Sequence, residues 1–124
     1  MKQLKVIILA LLTLSPVAVF AGTHSNGYLT VADTYMYGTM NVRYNPSAPG
    51  YIMTQEWSDG TVTFYGTNNT TVFFCYVTPS NPLFTRANQM HFNLDNGSYL
   101  YVTRDVASNV CTYLAFNKAS YLLD

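Results

Sequence analysis

Clusters of turn-forming residues cut this chain into short pieces: Asn45-Pro-Ser-Ala-Pro-Gly50, Ser58-Asp-Gly60, Gly66-Thr-Asn-Asn69, Pro79-Ser-Asn-Pro82 and Asp95-Asn-Gly97. Glycine, proline, asparagine and aspartate punctuate because each takes up a bend that other residues adopt only at a cost. The stretches between them are rich in Tyr, Thr, Val and Phe, which suit a pleated, half-buried strand. Strands are expected near residues 28–36, 39–44, 51–57, 61–66, 71–77, 90–94, 98–103 and 109–116. Short strands at this spacing predict an all-β fold, a small antiparallel β-sandwich. One segment departs from the pattern: Asn81 is placed to cap a helix, Pro82 to start it, and Leu83, Ala87 and Met90 recur at helical spacing. A helix of a turn or two near 82–90 also fits a five-stranded Greek-key barrel of the oligosaccharide/oligonucleotide-binding type, the alternative fold.

The chain opens with a basic segment, Met1-Lys-Gln-Leu-Lys5, followed by an apolar run from Val6 to Leu14 and a small-residue ending, Val19-Phe-Ala21. This order is that of a secretory signal peptide over residues 1–21. The apolar run is about nine residues, well short of the roughly 18 that cross a bilayer. Residues 22–124 are then one exported domain, secreted or periplasmic, with no membrane span expected. Export also permits a disulfide between the only two cysteines, Cys75 and Cys111, each of which sits in a β-type run. Neither cysteine has the close spacing or cationic neighbours of a reactive or metal-binding pair.

Removal of Lys2 and Lys5 leaves four basic and six acidic residues, a net charge of −2. Arg43, Arg86, Arg104 and Lys118 are scattered, so nucleic acid is not an expected partner. Catalytic chemistry has little to work with. No nucleophile elbow, zinc-binding histidine pair, phosphate loop or calcium loop is present, and the acids are dispersed. His91 is read as a strand residue beside Val102 and Leu100 rather than a general base. No cofactor is expected. Cleavage after Ala21 would expose Gly22-Thr23-His24, whose amine, amides and imidazole suit square-planar copper or nickel; a solvated terminus is the simpler reading. Asn68, Asn69 and Asn96 each begin an acceptor triplet for N-glycosylation, relevant only in a cell that modifies such sites.

What remains is a surface. With Asp59-Gly60 as a two-residue primed turn, Trp57 faces Val62, Gln55 faces Phe64 and Met53 faces Gly66. Trp57, Val62, Phe64 and Met53 then share the core face. Tyr65, Thr54, Thr63 and Glu56 share the outer one and form the candidate binding surface. With Asn96-Gly97 as a second such turn, Leu94 pairs with Tyr99 and Phe92 with Tyr101, all facing the core. Eleven tyrosines exceed what a small core needs, and such an excess commonly marks a recognition surface. The expectation is a non-catalytic binding protein for a protein or glycan partner, with oligomeric state open. The alternatives are a structural or self-assembling secreted protein, a periplasmic inhibitor or immunity protein, or the receptor-binding subunit of a toxin.

Overall fold

Residues 26–119 are described by the computed structural model; the expected signal peptide, residues 1–21, and the expected metal-compatible segment Gly22-Thr23-His24 lie outside them. The strands in chain order are β1 (Leu29–Val31), β2 (Tyr35–Thr39), β3 (Tyr51–Glu56), β4 (Val62–Thr67), β5 (Val72–Val77), β6 (Ser98–Arg104) and β7 (Cys111–Lys118). One helix, α1 (Phe84–Asn93), connects β5 to β6. Strands β1-β2-β6-β7 form one antiparallel sheet and β3-β4-β5 another. The two sheets stay separate, so the fold is the expected sandwich and not the barrel. Between β5 and the start of β7 there is only an isolated bridge, Tyr76 to Val110, rather than a closing ladder.

The core is the sum of the two inward faces. Val31, Met36, Leu100, Val102 and Leu114 come from the larger sheet, and Val62, Phe64, Phe73, Cys75 and Val77 from the smaller. Helix α1 adds Ala87 and Met90, one turn apart on its buried side. The sheets approach so closely at Gly66 that a Cβ there would lie 2.0 Å from Met36 Sδ. Glycine suits this point for lack of space rather than for backbone freedom, since any larger residue would have to displace the buried Met36 side chain.

Two fasteners cross the seam. Cys75 on β5 is bonded to Cys111 on β7, 36 residues apart, a loop whose closure in the unfolded chain is worth about 4 kcal/mol on the chain-entropy account. Arg104 donates from Nε to the Asp33 carbonyl and from Nη1 to the Phe74 carbonyl (3.0 Å) and Asn109 Oδ1 (3.3 Å), with its guanidinium over the Phe73 ring. One planar side chain thereby ties the β1–β2 turn, the β6–β7 loop and β5 together.

Several local expectations are corrected. Residues 28–36 are two strands, since the chain turns at Asp33-Thr34 and the Ala32 amide bonds the Tyr35 carbonyl. Residues 40–44, read as strand, are a 3₁₀ helix that buries Asn41 and Val42. The expected strand at 90–94 does not form. Helix α1 runs on to Asn93 because Ala87 and Met90 pack together on the core, and tertiary packing outweighs the short apolar alternation of His91-Phe-Asn-Leu94. The expected cap also moves: the helix starts at Phe84 with Leu83 as N-cap and no side-chain cap bond, while Asn81 shapes the preceding turn, its Oδ1 accepting from the Leu83 amide and its carbonyl from the Phe84 amide.

With no strand at 90–94, the hairpin around Asn96-Gly97 is also absent. Strand β6 pairs with β2 and β7 instead, which buries Leu100 and Val102 and turns Tyr99 and Tyr101 outward. Phe92, expected in the core, is 66% exposed on the helix.

Candidate functional site

The β3–β4 hairpin decides which residues meet a partner. Gly60 has φ +90°, the Gly60 amide bonds the Trp57 carbonyl, and the Trp57 amide bonds the Thr61 carbonyl. Ser58, Asp59 and Gly60 are therefore a three-residue loop with glycine in the left-handed position, the alternative to a two-residue primed turn. Asp59 Oδ1 accepts the Thr61 amide and steadies the loop; that bond and one from the Thr61 side chain hold the carboxyl below its ordinary pKa. The added loop residue shifts the register by one, so Glu56 faces Val62, Gln55 faces Thr63, Thr54 faces Phe64 and Met53 faces Tyr65. A slip of one residue exchanges the two faces of a strand.

The predicted quartet is split as a result. Thr63 and Tyr65 lie on the outer face as expected. Thr54 lies on the inward face, its hydroxyl 2.9 Å from His91 Nδ1 of α1, and Glu56 sits at the exposed end of β3 on that same side. His91 thus meets a threonine from the helix, not Val102 and Leu100 from a strand. Trp57 and Met53, assigned to the core, are 51% and 42% exposed on the outer face.

Across the three strands the outer face reads Tyr51–Thr67–Val72, then Met53–Tyr65–Phe74, then Gln55–Thr63–Tyr76, with Trp57 beyond. None of these side chains is charged. Tyr51 and Tyr65 have ring centroids 5.8 Å apart, and the Tyr65 phenol is held above its usual pKa, first by partial burial and then by the Tyr51 phenol beside it. Trp57 Nε1 donates to Thr63 Oγ1 at 3.4 Å, and Thr63 in turn donates to the Gln55 carbonyl. Trp57, Phe74 and Tyr76 form the walls of an open groove of about 370 Å³, whose remaining lining is Ser58, Asp59, Thr61 and Thr63.

The opposite face of the sandwich is aromatic too, but closed on itself. Tyr35, Tyr37 and Tyr101 have parallel rings, within 10° of one another, at centroid separations of 5.9–6.3 Å. Tyr28 packs on Tyr37 and Tyr99, and Tyr113 on Tyr101. Cross-strand ring pairs of this kind stabilise a sheet in their own right. No described tyrosine is buried, so among the described residues the tyrosine excess is a surface property. The signal that would have located the site is the length of the Ser58-Asp-Gly60 loop.

Among the described residues no helix is long and apolar enough to cross a membrane, and no group of three or more His, Cys, Asp or Glu is placed to hold a metal ion. No protein-family model, curated protein or solved structure matches the chain.

Proposed function

We propose that the chain is exported, loses residues 1–21, and acts as a recognition module that binds a glycan or protein partner through the outer face of β3-β4-β5. The observation that carries this reading is a contiguous uncharged surface in which Tyr51, Met53, Trp57 and Val72 all stand exposed beside Tyr65 and Tyr76. Interfaces concentrate tyrosine, tryptophan and methionine and are depleted of lysine and glutamate at their centres, and an exposed apolar patch on a small domain costs solubility unless a partner uses it. The scaffold behind this face is braced, since a disulfide and the Arg104 clamp hold β5 in place. A disulfide is also what an oxidising compartment preserves.

The test compares three forms of the immobilised processed chain against envelope and culture fractions of the producing cell. The native domain should retain a partner at micromolar concentration. Joint replacement of Tyr51, Met53 and Tyr65 by serine should abolish retention, whereas replacement of Tyr35 and Tyr37 by threonine on the other sheet should not. Retention by the first variant, or loss by the second alone, contradicts the assignment.

A further inference from the structure

Resting on that reading, we propose that the groove at the hairpin end of the small sheet is a subsite for one ring of a neutral saccharide. The groove has two kinds of lining. Trp57, Phe74 and Tyr76 supply ring surfaces, with Phe74 and Tyr76 centroids 6.4 Å apart along β5, while Ser58, Asp59 and Thr61 supply hydroxyl and carboxylate groups from the loop. A pyranose has the same division. Its C–H faces, slightly positive, seek the negative face of an aromatic ring, and its hydroxyl rim seeks donors and acceptors together. A volume of about 370 Å³ lies at the small end of the range for ligand pockets, which suits one ring of a longer chain crossing an open groove.

Charge selects further. No lysine or arginine lines the groove and its one ionisable carboxyl is that of Asp59, so a sulfated, phosphorylated or carboxylated sugar would meet repulsion with nothing to offset it. Aromatic rings beside a carboxylate also describe a cage for a quaternary ammonium ion. Such a cage must surround its cation. Here the groove is open, and a quaternary ammonium ion, having no N–H, would make no hydrogen bond to the Ser58, Thr61 and Thr63 hydroxyls that line it.

Trp57 is the only tryptophan in the chain, so emission excited selectively at the indole, beyond the absorption of the tyrosines, reports on this groove. The processed domain is titrated with methyl glycosides of glucose, galactose, mannose and N-acetylglucosamine and with their short oligomers, followed by fluorescence and calorimetry. At least one should give a saturable emission change with a matching heat, whereas sialic acid, a sulfated sugar and choline should give neither. Trp57→Ala should weaken the calorimetric affinity roughly tenfold or more, one aromatic contact's worth. Asp59→Asn, which keeps an acceptor for the Thr61 amide, should change it by less. The proposal is overturned by silence from every neutral saccharide, by affinity that survives Trp57→Ala, or by a response to choline that Asp59→Asn abolishes. Tyr51, Met53 and Tyr65 lie outside the groove, so these failures would leave the wider recognition face to its own capture test.

Discussion

Trp57 Nε1 bonds Thr63 Oγ1 across the β3–β4 hairpin, and this contact holds the chain's single indole on the outer face of the small sheet, away from Phe64 and the core. Indole emission from native protein should therefore be that of a partly solvent-exposed side chain, quenched by acrylamide far more readily than a buried indole. Trp57→Ala should cost no more than about 1 kcal/mol in a urea melt, against about 3–5 kcal/mol for Phe64→Ala in the core. A blue-shifted, protected indole would restore the two-residue turn and the opposite register.

The disulfide is the main covalent support of the sandwich. Cys75→Ala/Cys111→Ala should lower stability by about 2–5 kcal/mol in denaturant melts, the span seen for native bridges in small domains. A loss under about 1 kcal/mol would mean that Arg104 and the packed faces suffice to join the sheets.

Gly66 tests how closely those sheets approach. Gly66→Ala places a methyl group against Met36 Sδ in a fully buried site, and overpacking of this kind should cost about 1–3 kcal/mol. The double variant Gly66→Ala/Met36→Ala should recover part of that loss if the two side chains compete for one space.

Acid should weaken the turn that leads into β6. Asp95 accepts from Lys118 Nζ at 2.9 Å and from the Ser98 hydroxyl and Gly97 amide, and these bonds, the lysine first, hold its carboxyl below its ordinary pKa. In the relevant range the unfolded chain binds the proton more readily, so this contribution is present above the unfolded carboxylate value of about 3.9 and fades as pH falls through the lower folded value. Asp95→Asn should reduce the urea midpoint at neutral pH and converge with native protein in acid. A difference between the two that does not vary with pH would contradict the assignment.

Much of the architecture was legible. Turn clusters separated β3, β4 and β5 correctly to within a residue, and two cysteines in β-type runs implied the disulfide, though not that it joins the two sheets. The site was less legible because it hangs on a single residue of loop length: Asp-Gly serves both two- and three-residue hairpins, and the choice exchanges Thr54 and Glu56 for Met53 and Trp57 on the outer face. The segment 90–94 misled for a different reason. Its identity as helix is set by what Ala87 and Met90 touch across the core, which local alternation does not encode.

The most direct test of the recognition face is oxidative footprinting of the captured complex. Met53, Trp57 and Tyr65 should be oxidised readily in the free domain and protected in the complex, while Tyr28 and Tyr113 on the opposite sheet keep their free rates. Unchanged oxidation of Met53, Trp57 and Tyr65, with protection of Tyr28 and Tyr113, would place the partner on the other side of the sandwich and contradict the account.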